Sequence, residues 1–308
     1  MSDHTIGAPS GESAAVLFFK RLWRSIERTI DSVLLLRESV VGMVGAGLVL
    51  FWIVVAIMPG WLAPFDPLRN LVPLQKPLSP VPEALGGGTF WLGTDLLGRD
   101  ILSRIIYGAR QVLIYAPIAT FCAYVVGVPM GLAAGYKRGW VDDVLSFVCN
   151  VILSFPILVL YVVIIATIGA SAANIVLAVT FASAPGIMRI VRGLVLDLRN
   201  REYVFAAETR GESNWRIMLV EILPNARGPL IVDSCLRLGY VIITIGVLGF
   251  LGLGLPPPDP DWGGMINENR AMAMTFPHVA LFPCLAISSL VLGFNLLADG
   301  LREIALRD

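Results

Sequence analysis

Six apolar runs alternate with polar stretches along the chain: Val40 to Met58, Leu113 to Ala134, Val144 to Ile168, Asn174 to Val191, Pro229 to Leu253 and Val279 to Ala298. Each is close to the ~20 residues that cross a hydrocarbon core about 30 Å thick, so the pattern predicts an all-α membrane protein of six transmembrane helices. Pro117, Pro129, Pro156, Pro185 and Pro283 fall inside these runs. A lipid-embedded helix tolerates proline where neighbouring helices or water satisfy the freed carbonyl, and kinked spans suit a bundle that moves. Ahead of the first run, residues Ala14 to Arg37 interleave Val16, Leu17, Trp23, Ile26, Ile30 and Leu34 with Lys20, Arg21, Arg24 and Arg28. That is the pattern of a helix lying on the inner membrane surface, with a partly disordered basic tail as the alternative, and it lacks the early apolar core of a cleavable signal. The expected organisation is an amphipathic segment at 1–39, a first span at 40–58, a loop with an interfacial helix at 59–112, and a five-helix core at 113–308 containing a polar loop at 194–228.

Composition agrees: 56% of the 308 residues are hydrophobic and 15% charged, with a mean hydropathy of +0.76, beyond the apolar share of an ordinary soluble domain. The formal net charge is zero, which gives no basis for nucleic-acid binding. With the N-terminus inside, sixteen lysines and arginines fall on the cytoplasmic side and six outside, so both termini are expected in the cytoplasm. Cys122, Cys149, Cys235 and Cys284 all lie in apolar runs and read as packing residues. His4 and His278 have no partners at metal-ligand spacing, so no metal site is expected.

In the first outer loop, Pro59 to Pro82 reads as turns and extended chain. Gly98 to Gln111 reads as a helix with Asp95 as its cap and an apolar stripe of Ile101, Leu102, Ile105, Ile106 and Tyr107. In the last outer loop, Pro256 to Pro260 is stiff, and Asp261, Trp262, Asn267 and Glu268 suit either a docking surface or gate, or a folded cap over the bundle. Asp233 and Arg237 stand four apart in the fifth span. They pair on one helical face, as a structural salt bridge near the inner entrance or as part of a pathway.

The segment Ala206 to Pro224 is too polar for lipid and must project into the cytoplasm, where a partner can push on it. Ala206 and Ala207 permit close helix packing, Gly211 permits a sharp turn between two short helices, and Leu223-Pro224 is expected to end the second. Glu208 and Glu212 supply charge on this segment.

The string Leu92-Gly93-Thr94-Asp95-Leu96-Leu97-Gly98-Arg99-Asp100, with Ser103-Arg104 and Gly108-Ala109-Arg110, closely resembles the segment before the second span in C-type permease subunits of bacterial dipeptide, oligopeptide and nickel ABC importers. The likeness continues in Phe250 to Gly254, Pro256-Pro257-Pro258 with Trp262-Gly263, and Asn295 to Arg302. The polar segment resembles that family's coupling loop at Ala206, Ala207, Gly211, Leu223 and Pro224, with Phe205 where a glutamate is usual. The resemblance implies a type I ABC importer permease fold in the bacterial inner membrane. It implies as partners a second homologous permease subunit, two cytoplasmic ATPase subunits carrying ATP and magnesium, and an external solute-binding protein. Peptide is the first expectation for cargo, with nickel or another small solute as the alternative. The chain carries no Gly-x-x-x-x-Gly-Lys-Ser/Thr phosphate loop, so it is not expected to hydrolyse ATP or to hold a cofactor itself. An ion-coupled secondary transporter, the alternative of a different class, needs buried acids near mid-membrane, and Asp233 is nearly alone there.

Overall fold

A computed structural model describes residues 39–256 and 259–305. The amphipathic segment expected at Ala14 to Arg37 lies outside the described residues, as do Pro257 and Pro258 of the stiff outer loop. The apolar runs fold into α1 (Val40–Ile57), α3 (Ile101–Lys137), α6 (Ala172–Leu198), α9 (Leu223–Phe250) and α11 (His278–Ala305). Among the described residues five helices are long and apolar enough to cross a membrane, and a sixth crossing is added if α4 (Trp140–Leu153) and α5 (Ile157–Ile168) act as one bent span.

Three elements depart from the sequence-based expectation. The third run is not one helix: α4 and α5 meet at 85° across Ser154-Phe155-Pro156. Proline removes a backbone donor and disfavours helical geometry in the residue before it, so the break falls where Pro156 dictates. The helix expected at Gly98 to Gln111 feeds directly into the second span as α3, whose 37 residues reach about 55 Å at 1.5 Å per residue. Asp95 does not cap α3; Asp100 does, its carboxylate accepting the Ser103 N–H at 2.8 Å. Finally, Leu223-Pro224 does not end a helix. Asn214 to Phe250 runs unbroken because Ile217–Ile222 adopts a π-helical turn, in which the Leu223 N–H reaches back to the Met218 carbonyl. The wider turn absorbs the proline, and Asn225 Nδ2 donates to the Glu221 carbonyl at 2.6 Å.

The bundle centres on α3 against α6. Gly127, Gly131 and Gly135 repeat every four residues on one face of α3 and seat Ile187, Val191 and Val195 of α6, which are fully buried. A Cβ at Gly131 would lie 2.7 Å from the Met188 carbonyl oxygen, so only glycine lets the two backbones approach this closely. α1 packs along α11, where Trp52 Nε1 donates to Ser289 Oγ at 3.0 Å. α4 is tied to α6 by Arg192 and Asp142, 2.5 Å apart, and by Arg189 Nη2 donating to Asn150 Oδ1 at 2.6 Å.

At one end of the bundle, residues 59–100, 251–256 and 259–277 form a folded cap. It contains α2 (Pro59–Leu62), the two-residue antiparallel strands β1 (Ser79–Pro80) and β2 (Thr89–Phe90), and α10 (Trp262–Asn269). At the opposite end, α7 (Glu202–Thr209) and α8 (Asn214–Arg216) connect α6 to α9.

Candidate functional site

The connection between α6 and α9 is a shaped surface and not a loose loop. Val204 and Ala207 are fully buried in a cluster with Val191, Val195, Ile217, Met218 and Ile222, which seats α7 on the end of the bundle. After α7 the chain turns through Gly211 at φ +71°. Gly211 N–H donates to the Glu208 carbonyl at 2.9 Å, and Glu212 N–H to the Ala207 carbonyl at 3.2 Å. This pair of bonds makes a Schellman turn, whose left-handed residue is normally glycine. The sharp turn expected at Gly211 is therefore present, but only α7 before it is a short helix, because α8 opens the unbroken helix that runs to Phe250.

Side chains then fix the orientation of the segment. Tyr136, on the last turn of α3, donates its hydroxyl to Glu208 Oε1 at 2.9 Å. Arg199 Nη1 donates to the Tyr136 carbonyl at 2.9 Å, and Lys137 Nζ lies 5.4 Å from the centre of the Trp215 ring. Glu212 pairs with Arg210 at 2.9 Å and with Arg216 at 3.3 Å. Among the residues left outward are Arg201, Phe205, Ala206, Thr209, Trp215 and Pro224, with Phe205 52% and Trp215 55% exposed. Large aromatic area left in water on so polar a segment marks a contact surface. The contribution of Tyr136 was not legible in the sequence, because it lies 72 residues from Glu208.

The cap holds a second constellation. Asp95 Oδ2 accepts Arg99 Nε at 2.7 Å and Arg104 Nη1 at 2.8 Å, and Glu268 of α10 closes the group on the same two arginines. Asp95 is thus an ion-pair partner deep in the cap. Trp262 is fully buried and donates its indole N–H to the Ile105 carbonyl of α3 at 3.0 Å. It also stacks edge-on against Trp52 of α1, with ring centres 5.0 Å apart. Asp261 caps α10 by accepting the N–H groups of Gly263 at 3.3 Å and Gly264 at 3.0 Å. Burial pushes its carboxyl up to about 6, against the pull of those two N–H donors and of Arg104. Asp261 and Trp262 therefore present no docking surface. They knit the cap to α1 and α3, while Asn267 is half-buried and Glu268 is engaged by arginine.

Between the two ends, Arg237 Nε meets Asp233 Oδ2 at 2.6 Å, as the four-residue spacing predicts. Tyr124 of α3 donates its hydroxyl to the same oxygen, and the guanidinium lies over Gly186 of α6. The pair thus sits where α9 meets α3 and α6. Asn174 Nδ2 donates to the carbonyls of Ile168 and Gly169, fixing the α5–α6 turn. Among the described residues no three His, Cys, Asp or Glu side chains converge as metal ligands.

Residues 127–307 match the family described as binding-protein-dependent transport system inner membrane component. The chain is 40% identical over 282 residues to a glutathione transport system permease protein GsiD of Pectobacterium atrosepticum, covering 91% of this chain and 89% of that protein. It is 39% identical over 275 residues to the proteins of the same name from Escherichia coli O6:K15:H31 and Shigella boydii serotype 4, covering 87% of this chain and 86% of each. Its fold is similar to a chain of the MetNI methionine ABC transporter in an inward facing conformation, with a TM-score of 0.55 and 18% identity over 67% of this chain and 96% of that one.

Proposed function

The chain belongs to the family of binding-protein-dependent transport system inner membrane components, the permease subunits of ABC importers, and from that membership we propose that this subunit imports peptides. In this reading it forms half of the pathway beside a second, homologous permease subunit. Two ATPase subunits, carrying ATP and magnesium, sit below the α7–α8 surface, and a solute-binding protein delivers cargo at the cap. The cap end faces outward and the α7–α8 end the cytoplasm, in line with Lys137, Arg138, Arg199, Arg201, Arg210 and Arg216 clustering at the latter.

The observation that carries the coupling role is the α7–α8 segment itself. Its inner face is locked into the bundle by Val204 and Ala207 while Phe205, Ala206 and Trp215 stand outward. Closure of the ATPases on ATP pulls on that outer face, and the locked inner face hands the displacement to α6 and to the unbroken helix from Asn214 to Phe250. Glu208, Gly211 and Glu212 hold the segment in shape, and Leu223-Pro224 lies where the lever joins α9.

Peptide cargo is supported by relatives named for glutathione, itself a small peptide. Uptake by vesicles containing the full complex decides it. Labelled di- and tripeptides, given with ATP and the external binding protein, are expected to accumulate. Accumulation of nickel alone, or uptake driven by an ion gradient without ATP, contradicts the reading.

A further inference from the structure

The face of α9 that turns toward α6 is polar inside an apolar run. Asp233, Arg237, Tyr240 and Thr244 follow one another at spacings of four, three and four residues, which puts them within an arc of about 60°. Arg237 lies over Gly186 of α6, and the fully buried Tyr161 of α5 brings its hydroxyl to Ser183 of α6 and Thr244 of α9. The two helices therefore face each other along one cleft. Between these contacts the cleft is open, and Tyr240 is 69% exposed. The outward face of α3 is different in kind: Ile114, Ile118, Phe121 and Val125 form an exposed stripe of aliphatic and aromatic side chains, which suits lipid. A charge and a phenol on a spanning helix belong where its face meets a water-filled passage.

Within the cleft Arg237 has donors to spare. Its Nε is taken up by Asp233 Oδ2 at 2.6 Å, and Tyr124 donates its hydroxyl to the same oxygen, so the carboxylate is held from two sides. Asp233 is the ion-pair partner of Arg237 among the described residues. Nη1 and Nη2 stand where Gly186 has no side chain: a Cβ there would come within 3.3 Å of the first and 3.5 Å of the second. The two-nitrogen edge of a guanidinium matches the two oxygens of a carboxylate. Because Asp233 already offsets the positive charge, a carboxylate arriving at that edge is held weakly. Weak holding is what passage requires, since a site that must release its ligand cannot bind it tightly.

We propose that the edge formed by Nη1 and Nη2 of Arg237 binds the C-terminal carboxylate of a peptide as it passes along the α6–α9 cleft. This rests on the peptide-importer reading above and deepens it by naming the part of the cargo that the subunit recognises. A lipid phosphate offers a similar pair of oxygens, and the test separates the two sources.

The full complex in proteoliposomes is given ATP and the binding protein of the same system, loaded to equal occupancy with a labelled tripeptide or with its C-terminal amide. The wild type is expected to take up the free acid about tenfold faster than the amide, the scale of one charge-assisted contact. Arg237→Gln/Asp233→Asn, which removes both charges together, is expected to bring the acid down to the rate of the amide and to leave amide uptake unchanged. Arg237→Lys, which keeps the charge and loses the fork, is expected to narrow the preference and serves as the second variant if the first does not fold. Equal uptake of acid and amide by the wild type, or a loss in the variants that falls on both peptides alike, overturns the contact and leaves the pair a scaffold. An acid preference that disappears when phosphatidylglycerol is left out of the vesicles assigns the edge to lipid phosphate and overturns it as well. If the wild type takes up neither peptide with ATP, the peptide-importer reading fails first and the contact with it.

Discussion

Asp95 Oδ2 lies 2.8 Å from Arg104 Nη1, and neither side chain is more than 2% exposed. Removing one member of a buried pair leaves the other charge uncompensated, which typically costs about 3–5 kcal/mol. Asp95→Ala is therefore expected to lower the melting temperature of the purified subunit sharply, because it removes the fully buried carboxylate that Arg99 and Arg104 share and leaves them only the part-exposed Glu268. Glu268→Gln changes a carboxylate that is 34% exposed and is expected to cost about 1 kcal/mol or less. A thermal melt in detergent separates them, and equal losses count against the arrangement described for the cap.

Gly211 has open space where a Cβ would stand, so its requirement is conformational and not steric. An L-residue in the left-handed region costs roughly 1–2 kcal/mol, and asparagine bears it best. Gly211→Asn is expected to retain most ATP-driven uptake, Gly211→Ala less, and Gly211→Val to split ATP turnover from uptake while still inserting into the membrane. Wild-type uptake by the valine variant contradicts a coupling role for this turn.

Gly131 fails for the opposite reason. Its φ is ordinary, but a Cβ would press against Val191 and the Met188 carbonyl of α6. Overpacking typically costs about 1–3 kcal/mol, and here the opposing atoms include backbone that has no rotamer to give. Gly131→Val is expected to reduce the yield of folded subunit, whereas Gly193→Val, at a site with nothing within 4 Å, is expected to leave yield unchanged.

Asp261 carries a pH signature. Burial raises its carboxyl from 3.8 to about 6, so the folded cap binds a proton more readily than the unfolded chain. Stability is then highest at acid pH and falls as pH rises through the window from about 4 to about 6, where the buried carboxylate ionises. Asp261→Asn, which keeps an N-cap acceptor without the charge, is expected to flatten that slope in melts recorded across the window from about pH 4 to about pH 6. An unchanged slope assigns the titration to another group.

Much of this molecule is written in its apolar periodicity. The positions of α1, α3, α6, α9 and α11 follow from runs of about twenty apolar residues, and the turn at Gly211 follows from one glycine between two helix-prone stretches. The third and fifth runs were read differently because proline alone does not say what its surroundings will do. Pro156 breaks the chain by 85°, while Pro224 is carried through by a π-helical turn set by residues 217–222. The cap was the least legible part. Asp95 suits an N-cap by its place before a helical stretch, yet its partner Arg104 lies nine residues away, and Glu268, which shares that arginine, lies 164 residues beyond it, so the longer pairing depends on how α3 and α10 dock. Trp262 was legible as an aromatic in a loop, but its burial depends on Gly108 clearing space on α3.

The central claim is that motor subunits grip the α7–α8 lever, and a cysteine at position 206 tests it most directly. Ala206 faces outward beside buried Ala207, so Ala206→Cys leaves the seat of α7 intact. In the reconstituted complex, a short bifunctional maleimide is expected to join this position to an ATPase subunit, with a yield that changes between nucleotide-free and ATP-bound states. No crosslink in any nucleotide state, with the cysteine freely labelled by a water-soluble maleimide throughout, contradicts the account.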